Sequence, residues 1–513
     1  MEQKITNSGK TIAKNTIFLY FRMMFTMIVS LYTSRVILDV LGINDYGIYQ
    51  TVGGVVAMLS FVNNSLSIGS SRFLTYELGR GDQELLKKTF SSILTVHLIL
   101  AVAIIFVAET IGLWFVCNRL GIPEERLFAA VVAYHMSVVT VFVAIVQVPF
   151  NATIIAHERM SIYAYLSILE VLLKLAICYI ITIGTFDRLE LYAVLLCIVQ
   201  FSIAFFYRFY CTHHYQEARF KLLWDWSIIK GVLGYSGWNL FASTSIALIT
   251  QGTTIIISIF FSPAVVAARA VANQVNTAAN QFISNFRTAA DPQIVKRFAA
   301  QDYEGSKRLL LESTKYSFYM MLILALPIYL VSEELLGLWL KEVPDYTVVF
   351  LHYAVLTSLF QVIDSSFYTA LYAKGSIKEN AILSPSVMFI AFPIIFLLYK
   401  KGFGPEVCAF VILIAYAIIA CLIKPFLLVR IVGYTISDIV SVFKSCIKVV
   451  LISCPVPIIC YYFADSLFPN FWIRFTGLIL VAVFFVGLVV WTLGINYEMR
   501  RQIIQYVKNR IVK

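Results

Sequence analysis

Charge is what this chain of 513 residues has least of: Asp, Glu, Lys and Arg together make up 13%, against 60% hydrophobic residues. Mean hydropathy is +0.82. Such a composition cannot cover a water-facing surface, which excludes a soluble domain and leaves a polytopic membrane protein. Long polar segments are missing too. No stretch between apolar runs exceeds roughly twenty residues, so there is no room for a soluble catalytic domain. Paired cysteines are absent: the nine stand singly, without a CxxC, which speaks against a disulfide framework or a metal site. His97, His135 and His352 are dispersed in apolar runs, and His213 and His214 adjoin in a polar loop; none suggests a relay. No nucleophile-and-base spacing, phosphate-binding Gly loop or ATPase motif occurs. The expectation is a protein that is not an enzyme, holds no cofactor or metal, and draws energy from a gradient, the membrane potential or its substrate's concentration.

What the chain does have is apolar runs of about 18 to 25 residues from end to end, each long enough to cross a hydrocarbon core of roughly 30 Å. The expected fold class is therefore an all-α polytopic membrane protein with about fourteen transmembrane helices, the first near 14–38 and the last near 471–493. A barrel would need alternating segments of about ten residues, and these runs are continuous. The net charge of +11 would raise nucleic acid as a partner in a soluble protein, but its distribution speaks for topology. With the N-terminus inside, Lys87, Lys88, Lys296, Arg297, Lys307, Arg308, Lys424, Arg430, Arg500 and Arg501 all fall on the cytoplasmic side. The other side holds only Arg119, Arg126, Arg188, Lys341, Lys400, Lys401 and Arg474. That bias places both termini in the cytoplasm.

Faint internal repetition follows. Residues 150–156 and 368–373 each close a fourth span and open a short basic inner loop; the loops at 79–82 and 299–302 correspond at a similar offset. Six spans followed by six in the same orientation are parallel repeats, an arrangement in which transporters place the substrate between the repeats. The expected organisation is an N-lobe over 1–225, a C-lobe over 226–430, and two further spans with a cytoplasmic tail over 431–513.

The stretch 263–287 is apolar enough to cross a membrane yet polar along one side. Arg269, Asn273, Asn276, Asn280, Ser284 and Arg287 recur at steps of three and four, hence on one helical face. A charge near the bilayer centre costs about 3 kcal/mol even on the lenient insertion scale, so this face is expected to line a cavity rather than meet lipid. Other intramembrane charges sort by their neighbours. Glu170 and Lys174, like Arg35 and Asp39, form i,i+4 pairs, read first as clasps, with a coupling role for Glu170–Lys174 left open. Arg287 has Asp291 four residues on and can also snorkel. Arg22 and Arg269 have no acid three or four residues away. Asp364, likewise unpaired locally, is a possible counter-ion or coupling residue. One acid cannot neutralise two separated arginines, so an anionic ligand is expected, and the guanidinium fork suits phosphate.

Two segments, LYTSRVILDVLGINDYGIY over 31–49 and SSRFLTYELG over 70–79, resemble the first hairpin and the inner end of the second span of bacterial polysaccharide-unit flippases. These belong to the superfamily that also holds the peptidoglycan lipid-precursor flippase and the multidrug extruders. The resemblance implies two pseudo-symmetric six-helix lobes around a central cavity that opens alternately to each side, and an undecaprenyl-pyrophosphate-linked glycan as substrate. It also implies cationic cavity residues on the first, second and eighth helices, where Arg22, Arg72, Arg269 and Arg287 stand. Drug extruders often place acids in the cavity; here the first span has none before Asp39 and 231–261 has none.

The expected function is thus a flippase of lipid-linked oligosaccharide for surface polysaccharide such as lipopolysaccharide, in a bacterial inner membrane. Arg22, Arg72, Arg269, Asn273, Asn276, Asn280 and Arg287 would bind substrate. Membrane lipid and a polysaccharide polymerase are the expected partners, nucleic acid is not, and the chain is expected to act as a monomer. The alternatives are a peptidoglycan lipid-precursor flippase, a cation-coupled multidrug exporter, and a membrane glycosyltransferase or polymerase.

Overall fold

A computed structural model describes residues 2–501 except 60, 158, 184, 220–222, 224, 377, 464–469 and 497–499. Among the described residues there are helices and no strands. This is what a chain of continuous apolar runs must do in lipid, where each backbone N–H and C=O needs a partner within its own segment. Helix starts carry the short oxygen-bearing side chains that satisfy otherwise open N–H groups. Asp82 accepts from Leu85 N at 3.0 Å and Asp302 from Gly305 N at 2.9 Å. Thr435 and Asp438 form a reciprocal capping box.

By length and composition, twelve helices among the described residues can cross a membrane. Two features account for the difference from the expected count of about fourteen. The first of the twelve, Arg22–Met58, contains a break at Gly42, where φ is +79°, a left-handed value that only glycine adopts without strain; two expected spans are joined there. The helix Pro263–Ala299 is 37 residues long but carries too many polar side chains to be counted.

The chain packs as two compact units: Met1–Val271 with Met388–Pro405, and Ala272–Val387 with Glu406–Lys513. In the first, Ala129, Ala130 and Ala133 line one side of the helix Leu127–Ala156 and bring it close to Ile48, Val52 and Val56. Tyr134 reaches across to donate to Ala108 O at 2.7 Å, over Gly112. A Cβ at Gly112 would lie 2.1 Å from the Tyr134 hydroxyl oxygen. Near the ends of its helices, Arg126 grips Asp45 (2.6 and 2.9 Å) and Asp187 (2.5 and 3.1 Å) with one guanidinium. In the second unit the core runs through Leu310, Tyr319, Leu322 and Phe367 to Val442, Leu478, Ala482 and Val486. The last two membrane helices, Ile436–Tyr462 and Phe471–Gly494, thus pack against the helix Tyr303–Leu330. Large apolar side chains left uncovered by protein, such as Phe106, Phe205, Leu451 and Phe484, form the surface that lipid covers in a membrane protein.

Candidate substrate site

In the second unit, the polar face of the helix Pro263–Ala299 meets a matching row of hydroxyl and amide groups on the helix Thr347–Lys374. Ser358 donates its hydroxyl to Asn276 Oδ1. Asn280 Nδ2 donates to Gln361 Oε1 at 3.2 Å and to Ser358 Oγ at 3.4 Å. Two turns further, Arg287 donates to Ser366 Oγ, to Thr369 Oγ1 at 2.8 Å and to Asp291 Oδ1 at 2.5 Å. Both rows advance by three or four residues, so they stay in register along the contact. Part of the polar face is therefore an interhelical seam, in which polar side chains hold membrane helices together at about 0.6–2 kcal/mol per bond. Asn280, Ser284 and Arg287 also border open space.

That space is a cavity of about 430 Å³ bordered by Asn280, Ser284, Arg287, Asp291, Gln361, Ser365, Tyr368 and Thr369. A second cavity, of about 510 Å³, shares Asp291, Tyr368 and Thr369 with it and continues along Pro292, Val295, Lys296 and Tyr372. Among the described residues bordering the two, Arg287 and Lys296 are cationic and Asp291 is the one acid. The Arg287 side chain is 6% exposed and that of Asp291 35%. The buried partner is thus the cation, and the acid holding it reaches the opening. An entering anion can replace Asp291 at the guanidinium, while Asn280, Gln361, Ser284 and Ser365 offer both donors and acceptors to hydroxyl groups.

The remaining expected residues fall as follows. Arg22, in the first unit, lies with its guanidinium 4.8 Å from the Tyr163 ring centre and donates weakly to Ser167 Oγ at 3.5 Å. Its buried Nε has no hydrogen-bond partner. Arg269 pairs with no acid among the described residues but is not unsatisfied. It donates to Thr254 Oγ1 at 2.7 Å, Thr250 O at 3.2 Å and Ile249 O at 3.2 Å. The two carbonyls lie in a π-helical turn, Leu248–Gly252, where the wider backbone winding opens lone pairs that an α-helix would use itself. The need for an anion inferred from its lack of a local acid is therefore met in part by backbone. Asn273 is exposed, and the Arg72 side chain lies outside the described residues. Glu170 and Lys174 form the expected pair, at 2.6 Å.

Asp364 is corrected more sharply. Its ion pair is with Lys424, 3.0 Å away, so it is not free to serve Arg22 or Arg269. Lys424 itself, read from sequence as a cytoplasmic charge, is 2% exposed inside the membrane helix Val407–Val432. It drops out of the topological count. Sequence reading missed Lys424, Gln361, Ser366 and Thr369. The one available signal was the hydroxyl and amide repeat Ser358, Gln361, Ser365, Thr369, stepping in time with the amides of the Pro263 helix.

The sequence profile of the family described as "Polysaccharide biosynthesis protein" matches residues 12–298. No curated protein sequence matches the chain. Among solved structures, "Lipid II flippase MurJ, inward closed conformation" superposes with a TM-score of 0.70 at 12% identity, covering 92% of this chain and 98% of that one. An "Outward-facing conformation of a multidrug resistance MATE family transporter of the MOP superfamily" gives 0.61 at 16% identity, covering 82% and 96%. A MOP superfamily transporter from Pyrococcus furiosus, titled for the "reverse polarity" of its binding pocket, gives 0.56 at 15%, covering 80% and 93%. At such identities these similarities establish the fold: a multi-pass helical membrane protein of the kind shared by lipid flippases and drug extruders.

Proposed function

Because this chain belongs to the polysaccharide biosynthesis protein family, we propose that it is a flippase carrying a polyprenyl-pyrophosphate-linked oligosaccharide across a bacterial cytoplasmic membrane by alternating access. The observation that carries the reading is the cavity of the second unit. It joins a buried guanidinium, held by an acid that can yield, to a row of amides and hydroxyls. A cationic drug would meet Arg287 and Lys296 as like charges, with Asp291 the one acid among the described lining, whereas a pyrophosphate bearing sugars meets two cations to that one acid and a row of hydrogen-bonding groups. Arg287 would take a phosphoryl oxygen in exchange for Asp291, and Asn280, Gln361, Ser284 and Ser365 would bond sugar hydroxyls. The prenyl chain would remain in lipid. Arg22, with its unused Nε, is a further candidate contact for the anion; Arg269 is proposed to act mainly by holding the π-turn it caps. Both termini would face the cytoplasm, and the chain would work as a monomer that hands its cargo to a polysaccharide polymerase.

The test is deletion of the chain in its own cell. Surface polysaccharide should disappear while the completed lipid-linked unit accumulates in the inner leaflet, and restoring the wild-type chain should reverse both. Loss of peptidoglycan synthesis instead would assign the peptidoglycan precursor as cargo. Unchanged polysaccharide with raised sensitivity to amphipathic cations would assign drug export. Absence of the lipid-linked unit itself would point to a transferase or polymerase.

A further inference from the structure

A lysine on a membrane helix with 2% of its surface exposed needs a reason, since an unsolvated ammonium is among the costliest groups to bury. Lys424 lies between two π-helical turns, Ile419–Ile423 and Leu428–Val432, and Ala420, Leu427 and Leu428 around it are closed to solvent. Among the described residues, three groups meet its Nζ. Asp364 Oδ1 is 3.0 Å away, Asn380 Oδ1 is 2.6 Å away, and the Tyr368 ring centre is 5.0 Å away. The amide is turned oxygen-first toward the ammonium, and that same oxygen accepts from Ser384 Oγ at 3.0 Å. Oδ1 of Asp364 is buried and receives no aligned hydrogen bond, so its bond to Lys424 is one of charge more than of geometry.

One carboxylate oxygen, one amide oxygen and one aromatic face are not ligands peculiar to an amine. Oxygen donors with a single negative charge suit a hard monovalent cation, and a ring face attracts any compact cation. The geometry points to a monovalent-cation site in the second unit, built by Asp364, Asn380 and Tyr368 and filled by the chain's own Lys424 ammonium. Covalent attachment makes that cation non-exchangeable. The site therefore neither binds nor releases sodium or potassium, and no alkali gradient is coupled through it. Nothing here depends on what the neighbouring cavity carries.

Removing the tether should uncover the site. The experiment follows thermal unfolding of the purified full-length chain in detergent, in sodium, potassium, methylammonium or choline chloride at constant ionic strength. The wild-type chain should melt at one temperature in all four. Lys424→Ala should melt lower in choline and regain about 5 °C in saturating sodium or methylammonium, with a midpoint that rises with cation concentration. Lys424→Ala combined with Asp364→Asn should fold and lose that response, because a neutral site has no charge for a cation to meet. If Lys424→Ala does not fold in choline, preparing it in methylammonium should recover it; failure to recover it overturns the proposal. So does a wild-type melting temperature that depends on sodium through Asp364, or a Lys424→Ala variant indifferent to every cation.

Discussion

Arg126 offers a magnitude that can be worked from geometry. Its guanidinium makes four contacts of 2.5–3.1 Å to Asp45 and Asp187, three side chains only 19–29% exposed. Charge-assisted hydrogen bonds contribute about 1.5–3 kcal/mol each, but these side chains remain partly in contact with solvent, and a fully exposed pair falls toward about 1 kcal/mol. Arg126→Ala should therefore cost about 2–3 kcal/mol, part of it from two carboxylates left facing one another. For a unit of roughly 290 residues, unfolding entropies per residue convert this into a fall of about 3–5 °C. Arg126→Lys should recover less than half, since a point charge cannot engage two carboxylates at once. The Arg126 guanidinium also holds the Asp187 carboxyl below the usual carboxylate range. A depressed folded-state value means stability that is full above about pH 4 and is lost as pH falls through the lower, folded value. The wild-type chain should thus lose stability below pH 4 more steeply than Arg126→Ala. Scanning fluorimetry in detergent across pH checks both statements. An unchanged melting temperature in Arg126→Ala, or full recovery in Arg126→Lys, would refute the clasp.

Two further predictions concern charges within the membrane. Replacing Glu170 with Gln and Lys174 with Met together should leave polysaccharide export intact, because a 2.6 Å pair removed as a unit takes both desolvation costs with it; loss of export at normal membrane abundance would make the pair a coupling element. Arg269→Ala should lower membrane abundance, measured by immunoblot, because it removes three hydrogen bonds that tie the π-turn to this helix, leaving the Ile249 and Thr250 carbonyls only the hydroxyls of Thr253 and Thr254 as side-chain donors. Normal abundance with no export would instead return Arg269 to the substrate site.

How much of this was legible in the sequence follows the reach of sequence spacing. Apolar runs announced the helices, while the joining of two expected spans across Gly42 came from the structure. Pairs four residues apart, Glu170–Lys174 and Arg287–Asp291, were readable because a helix places such side chains together whatever surrounds it. Partners on other helices were not. Lys424 and Asp364 are sixty residues apart, and Arg126 meets Asp45 and Asp187 from loops and helix ends far away in sequence. The lack of a local partner was therefore a poor guide to ligand binding: Asp364 had a lysine and Arg269 had backbone carbonyls. The polar face of the Pro263 helix was visible as a face, but its division between seam and cavity depended on Ser358 and Gln361 opposite.

The central claim is that the Arg287 cavity handles a phosphoryl-linked glycan during translocation, and its most direct test is reconstitution. The purified chain would be placed in liposomes with a fluorescent polyprenyl-pyrophosphate oligosaccharide, and the rate at which the glycan becomes accessible on the opposite leaflet would be followed. Wild-type protein should move the lipid well above protein-free vesicles. Arg287→Ala, inserted equally, should be about 10–100-fold slower, the equivalent of one charge-assisted contact, and Arg287→Lys should recover only part of the rate. Equal rates for wild type and Arg287→Ala, or no movement above empty vesicles, would contradict the account.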